Sequence, residues 1–122
     1  MADSLVLIVD DDSRNARLAR DVLRAARFRT IEAGSGAEAI ALATEHLPDV
    51  ILMDIRLPDM DGVDATRLLK DDVRTARIPV VALSSLTADS GGAWLLAAGF
   101  DGYLEKPISV VDFPDQIRKY CA

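Results

Sequence analysis

Short apolar runs alternate along this chain with longer stretches in which apolar residues recur at helical spacing. The runs Leu5–Val9, Val50–Met53 and Val80–Leu83 are continuous, which is typical of parallel strands buried on both faces of a sheet. The run 28–33 instead alternates apolar and polar residues, as a strand at the edge of a sheet does. Together with Gly102–Glu105, these runs predict five strands.

Helices are predicted between and after the strands. The first is expected to bury Leu18 and Leu23. Pro114 lies inside the expected last helix, so that helix either starts late, near Asp112, or kinks there. The predicted helices are one over about 13–27, a second ending near 46, a third ending near 70, a fourth within 87–98 and a last one from near 109.

The alternation of strand and helix signals predicts an α/β fold with right-handed crossovers and helices on both faces of the sheet. We expect a flavodoxin-like (βα)5 doubly wound five-stranded parallel sheet in the order 2-1-3-4-5. This order places the alternating strand at an edge and the most apolar strands side by side at the centre. Because these signals occupy the whole sequence, we expect one domain over residues 1–122 and no output domain.

Composition narrows the classes of function. The 122 residues carry a net charge of −6 with a pI near 4.6, which argues against non-specific nucleic-acid binding because that requires clustered positive charge. The single cysteine, Cys121, excludes a disulfide framework within the chain and fits a reducing compartment. We find no apolar stretch long enough to cross a membrane and no secretory signal, so we expect a cytoplasmic protein.

Acidic and hydroxyl side chains follow three of the predicted strands. Asp10 and Asp11 come directly after the first strand, Asp54 ends the third, and Ser84 follows the fourth. The carboxyl ends of strands in an open α/β sheet are where ligands bind, so these groups are expected to share one edge. Carboxylates held together repel one another unless a cation lies among them, and a cluster of oxygen ligands suits Mg²⁺. The pattern therefore indicates a site that handles phosphate.

Further short motifs occur in order along nearly the whole chain. They are Val9-Asp10-Asp11, Leu52-Met53-Asp54, Leu57-Pro58-Asp59-Met60-Asp61-Gly62, Ser84 and Gly102-Tyr103-Leu104-Glu105-Lys106-Pro107. With these motifs the chain resembles the receiver domains of two-component response regulators, and in particular their stand-alone, single-domain members. Each motif alone is weak, but the set is specific because its members fall at strand ends with suitable spacing.

The resemblance implies a phosphorylation-dependent response regulator. Asp54 would accept a phosphoryl group, in a Mg²⁺-dependent reaction, from a sensor histidine kinase or a histidine phosphotransfer protein. Positioning and charge neutralisation dominate such a transfer, and a carboxylate can serve as its nucleophile. Asp11 and Asp54 would hold Mg²⁺ directly, with Asp10 close by or acting through water. The backbone carbonyl of Arg56 would complete the protein ligands. Such a protein is a signalling receiver that catalyses only its own phosphorylation and dephosphorylation.

The resemblance also assigns residues around the phosphoryl group. Lys106 would reach one phosphoryl oxygen as a point charge, and the Ser84 hydroxyl would donate to another. Ser84 and Tyr103 would be the switch residues, and the bond between Lys106 and Pro107 is expected to be cis. A downstream protein target would bind the face formed by helix four, strand five and helix five, and we expect neither a nucleic-acid nor a membrane partner.

Plainer interpretations stay open for several features. The aspartates at 10–12 are also suitable caps for the first helix, a role that we assign to Asp12 or Ser13. Tyr103 is alternatively a packed aromatic with no switching role. The arginines that recur along the first helix are either a solvated face or a docking strip for an acidic partner. Two alternative functions are an enzyme that turns over small phosphoesters through an aspartyl phosphate, and a receiver that binds partners without phosphorylation.

Overall fold

Strands and helices alternate along the chain as the sequence predicts. The computed structural model describes residues 4–84, 94–105 and 108–121, and of Ser84 it describes only the backbone. The strands are β1 (Leu5–Val9), β2 (Arg29–Ala33), β3 (Val50–Asp54), β4 (Val80–Ser84) and β5 (Gly102–Glu105). The helices bounded within the described residues are α1 (Ser13–Ala25), α2 (Gly36–His46), α3 (Gly62–Asp71) and a C-terminal helix (Phe113–Arg118). None of the helices in these ranges is long and apolar enough to span a bilayer.

All strand pairings are parallel, and the strands lie in the order β2-β1-β3-β4-β5. The predicted flavodoxin-like arrangement is therefore confirmed. Side chains alternate between the two faces of each strand, so the central strands contribute to two separate cores. Val6 and Ile8 of β1 pack with residues of α1 and the C-terminal helix, whereas Leu7 and Val9 pack with residues of α2 and α3.

The register of the sheet places the ends of β1 and β3 side by side. Val9 pairs with Met53 on one side and with Ala33 of β2 on the other. The next residues along each strand, Asp10 and Asp54, are therefore neighbours at the carboxyl edge of the sheet. This is the edge at which the sequence predicts the site.

Helix α1 differs from the sequence prediction in its end and in its buried face. It ends at Ala25 rather than near Arg27, because the chain turns there with Arg27 in a left-handed conformation (φ 73°). The expectation that Leu18 is buried is wrong, since 42% of this residue is exposed. Ala16 and Ala19 are buried instead. Their small side chains let the helix approach the sheet closely, which leaves the longer leucine on the flank.

The C-terminal helix begins late, as Pro114 predicts. It starts at Phe113, and Pro114 lies in the first turn, where the helix requires no backbone N–H donor. Residues 94–97 are also helical, within the stretch where the sequence predicts the fourth helix. Gly99 follows this segment with φ 111°, a left-handed conformation that glycine adopts readily. Local sequence signals therefore account for both of these helix ends.

Truncating a central strand residue should cause a large loss of stability. Leu52 is fully buried in the core beneath α1 and the C-terminal helix. We expect Leu52→Ala to lower the free energy of unfolding in urea by about 2–5 kcal/mol, because the substitution removes buried apolar atoms and leaves a cavity. Leu68→Ala on α3 is the matched control, because Leu68 is 51% exposed. Its effect should stay within about 0.5 kcal/mol, and equal losses in the two variants would contradict this account of the core.

Candidate functional site

Three carboxylates meet at the carboxyl edge of the sheet. One oxygen from each of Asp10, Asp11 and Asp54 lies within 4.8 Å of the other two. Asp10 and Asp54 are nearly buried, with 5% and 7% of each residue exposed, whereas Asp11 is exposed. Three like charges this close destabilise one another unless a cation neutralises them. A cluster made only of carboxylate oxygens, with one side open to solvent, fits a hard divalent cation such as Mg²⁺.

The segment after β1 holds Asp10 and begins α1. The backbone N–H of Asp10 donates to the carbonyl of Ala33 at 3.0 Å, which continues the pairing between β1 and β2. Its Oδ1 accepts the N–H of Asp12 at 2.9 Å. Asp12 in turn is the N-cap of α1, and its side chain accepts the N–H groups of Arg14 and Asn15. The capping interpretation therefore holds for Asp12, whereas Asp10 belongs to the acidic cluster.

The loop after β3 folds back on itself beneath Asp54. The N–H of Arg56 donates to Asp54 Oδ1 at 3.1 Å, so the carboxylate is oriented by the backbone of the residue whose carbonyl is a predicted metal ligand. The backbones of Arg56 and Asp61 form an isolated antiparallel β-bridge. The N–H of Gly62 also donates to the carbonyl of Ile55 at 2.7 Å. A β-carbon on Gly62 would collide with the Asp54 carbonyl oxygen, so α3 can begin this close only at a glycine.

Asp59 connects the loop after β3 to the start of α2. Its two carboxylate oxygens accept the N–H groups of Gly36 at 2.8 Å and of Ala37 at 2.9 Å. The Ala37 N–H, followed by that of Gly36, lowers the pKa of the Asp59 carboxyl below its ordinary value. The side chain of Met60 packs against Gly36 at the same place. The sequence did not predict the two hydrogen bonds of Asp59, because their donors lie 22 and 23 positions away and no local pattern marks such a contact.

The other predicted site residues are described less completely. Ser84 ends β4 and pairs with Glu105 of β5, but its side chain lies outside the described part of the structure. Lys106 and Pro107 also lie outside the described residues, so their predicted roles and the predicted cis bond stay predictions. Tyr103 lies on β5 and is 39% exposed.

The arginines of α1 divide into two groups. Arg20 lies 3.5 Å from Glu32, and Arg24 donates to the hydroxyl of Thr30 at 2.8 Å, so both of these side chains are tied to the edge strand β2. Arg14 has a 93% exposed side chain, and its ion pair with Asp12 is distant, at 3.9 Å. Arg20 and Arg24 therefore have a structural role in holding α1 against β2. The choice between a solvated face and a docking strip stays open for exposed arginines such as Arg14.

Comparison with known proteins identifies the family to which this site belongs. A model of the response regulator receiver domain matches residues 6–118. The chain belongs to the response regulator receiver family. This receiver is 42% identical over 115 residues to the polar-differentiation response regulator DivK of Brucella ovis, a match that covers 94% of each protein. DivK of Brucella anthropi is 41% identical, with the same coverage.

Solved structures of receiver domains match the receiver along nearly its full length. The receiver domain of sensor histidine kinase PA1611 from Pseudomonas aeruginosa has a TM-score of 0.87 at 30% identity over 98% of both chains, and that domain holds a magnesium ion in its active-site cleft. The receiver domain of the Francisella response regulator 1452 gives a TM-score of 0.89 at 28% identity, over 98% of this chain and 97% of that one. Chemotaxis protein CheY4 of Vibrio cholerae gives 0.89 at 25% identity, over 98% of this chain and 99% of that one.

Replacing Gly62 tests the close approach of α3 to the receiver site. We expect Gly62→Ala to lower the free energy of unfolding by about 1–3 kcal/mol, because the new β-carbon displaces the Asp54 carbonyl. Gly34→Ala is the matched control, since the nearest atom to its added β-carbon is Glu38 Oε1 at 4.0 Å. Alanine is otherwise the better helix former at Gly62, so a gain in stability there would contradict the steric account.

The lowered pKa of Asp59 predicts a pH-dependent contribution to stability. A carboxyl whose pKa is lower in the folded than in the unfolded chain stabilises the fold above its unfolded pKa, here about 3.8. That stabilisation is lost as the pH falls through the folded-state pKa. We therefore expect wild type to be more stable than Asp59→Asn near neutral pH, and the difference to shrink below about pH 4. Urea unfolding of both proteins across this range measures it, and a difference that does not change with pH would contradict the prediction.

Proposed function

We propose that this receiver accepts a phosphoryl group onto Asp54 from a phosphohistidine of a sensor histidine kinase or a histidine phosphotransfer protein. The observation that carries the proposal is the placement of the nearly buried Asp54 carboxylate within 4.8 Å of oxygens from Asp10 and Asp11. Burial and a hydrogen bond from the Arg56 N–H orient this carboxylate as a nucleophile at the open edge of the sheet.

In the transfer, an Asp54 carboxylate oxygen attacks the phosphorus of the phosphohistidine. The new O–P bond forms as the P–N bond breaks, and the electron pair of that bond returns to the imidazole nitrogen. The product is an acyl phosphate on Asp54 and a free histidine on the donor. Phosphoryl transfer requires little covalent help, so the contribution of the protein is to position the nucleophile and to neutralise charge.

The acidic cluster is proposed to hold Mg²⁺ during this reaction. Asp11 and Asp54 would hold the ion directly, with Asp10 close by or acting through water, and the backbone carbonyl of Arg56 would complete the protein ligands. When bound, Mg²⁺ offsets negative charge on the phosphoryl oxygens and on the carboxylates. Hydrogen bonds from the N–H groups of Asp12 and Arg56 orient Asp10 and Asp54 for this role.

Further residues are proposed to act once the phosphoryl group is attached. Lys106 would contact one phosphoryl oxygen and Ser84 another, with the bond between Lys106 and Pro107 cis so that the lysine is directed to the site. Ser84 and Tyr103 would then report the change to the surface. Support for a surface role of Tyr103 is its partial exposure on β5.

The response is proposed to be altered binding of a protein partner at the face formed by the fourth helix, β5 and the C-terminal helix. DivK of Brucella ovis, whose match covers 94% of both proteins, is likewise a response regulator, which supports a signalling role for this receiver. The net charge of −6 supports a protein partner over nucleic acid or a membrane surface. We propose that the protein acts in the cytoplasm, together with the histidine kinase or phosphotransfer protein that would phosphorylate it.

Intact mass after incubation with acetyl phosphate tests the proposal. Wild type should gain one phosphoryl adduct in the presence of Mg²⁺ and none without it, and Asp54→Asn should gain none, because its amide is not a nucleophile. Asp64→Asn is the matched control, since Asp64 is an exposed aspartate in the first turn of α3 and its loss should leave the adduct unchanged. An adduct that persists in Asp54→Asn, or its absence from wild type under all conditions, would refute the proposal.

A further inference from the structure

Helix α2 begins with hydrogen bonds from two separate parts of the chain. Ser35 is the N-cap of α2, and its hydroxyl accepts the N–H of Glu38 at 3.2 Å. The preceding N–H groups, those of Gly36 and Ala37, donate instead to Asp59, which lies in the loop that follows Asp54. The first N–H groups of any helix lack partners within the helix, and a carboxylate there also interacts favourably with the helix dipole. The start of α2 therefore depends on Asp59 as well as on Ser35.

The two segments that Asp59 joins are linked to different members of the acidic cluster. On one side, α2 follows β2, and the last residue of β2, Ala33, accepts the backbone N–H of Asp10 at 3.0 Å. On the other side, Asp59 lies in the same loop as Arg56, whose N–H donates to Asp54. A continuous path of hydrogen bonds and short backbone segments thus runs from Asp10 through α2 and Asp59 to Asp54.

Repulsion between like charges in the cluster acts to separate the residues after β1 from the loop after β3. Asp10 and Asp54 are at the ends of neighbouring strands, and the chain beyond each of them is loop or helix start and is no longer held by the sheet. The contact of Asp59 with Gly36 and Ala37 opposes that separation. Met60 packs against Gly36 at the same junction, but apolar packing is less directional than the hydrogen bonds of Asp59.

We propose that Asp59 is a positioning residue that clamps the loop after β3 to the start of α2 and so fixes the spacing of the acidic cluster for its divalent cation. This inference rests on the proposed function, because the cation is the one that the cluster is proposed to hold. Asp59 itself lies outside the group of oxygens that meet in the cluster. Its effect on cation binding is therefore exerted through the backbone of the two segments.

Mg²⁺ titration by calorimetry, with Asp59→Ala and Ser35→Ala compared, tests the clamp. Both substitutions remove side-chain acceptors from the start of α2, but only Asp59 also contacts the loop after β3. We expect Asp59→Ala to raise the Mg²⁺ Kd about tenfold or more, in the range typical for groups that orient metal ligands. Ser35→Ala should change it less than about twofold. Asp59→Asn provides a second test if the alanine variant does not fold, and it should also weaken binding more than Ser35→Ala does.

Amide hydrogen exchange without metal provides an independent readout. Asp59→Ala should speed exchange at Gly36, at Ala37 and, through the loop, at Arg56. Ser35→Ala should speed exchange at Glu38 and leave Arg56 unchanged. A merely local cap would affect only the first turn of α2, so unchanged exchange at Arg56 in Asp59→Ala would overturn the coupling.

The outcomes separate this inference from the proposed function. If wild type does not bind Mg²⁺, or if Asp54→Asn binds it as tightly as wild type, the proposed site fails and the clamp for a cation fails with it. If wild type binds Mg²⁺ in a manner that depends on Asp54, but Asp59→Ala and Asp59→Asn match Ser35→Ala, the clamp alone is wrong. A Kd that rises selectively in the Asp59 variants supports both.

Discussion

Asp10 and Asp54 place two nearly buried carboxylates at adjacent strand ends, within 4.8 Å of each other and of Asp11. At such a distance and an effective dielectric constant of about 20, two unit charges repel by roughly 3–4 kcal/mol. The chain cannot relieve this repulsion by separating β1 from β3, because these strands are the buried centre of the sheet. The charges must therefore be stabilised where they are, and N–H donors at both carboxylates contribute to this.

The N–H donors to Asp10 and Asp54 belong to one kind of local turn that recurs along the chain. An aspartate accepts the N–H of the residue two positions further on, which turns the chain sharply at the end of a strand or at either end of a helix. This contact recurs at Asp10, Asp12, Asp54, Asp61 and Asp72. Asp59 is different, because its acceptors serve N–H groups 22 and 23 positions away. The local turns orient single carboxylates, whereas the contact made by Asp59 can fix one segment of the site relative to another.

This difference explains how much could be predicted from sequence. The continuous apolar runs predict the buried strands, and the polar residues that end them predict the common edge, because parallel register carries strand ends to the same place. The end of α1 was not predictable, since Arg27 adopts a left-handed conformation that its residue type does not signal. The exposure of Leu18 depends on how closely Ala16 and Ala19 approach the sheet. The partners of Asp59 depend on tertiary structure alone.

Several restraints on the acidic cluster come from the β2 side of the sheet and from the loop after β3. The hydrogen bonds described for Asp10, Asp54 and Asp59 run to β2, to α2 and within the loop after β3. On the opposite side, β4 and β5 reach the edge through the pairing of Ser84 with Glu105. The partly exposed aromatic residue Tyr103 lies on β5. These hydrogen bonds fix the carboxylates where the proposed cation and phosphoryl group would bind. Under the proposed function, the response to added charge would reach the surface at β5, where exposed apolar area would be buried against a protein partner.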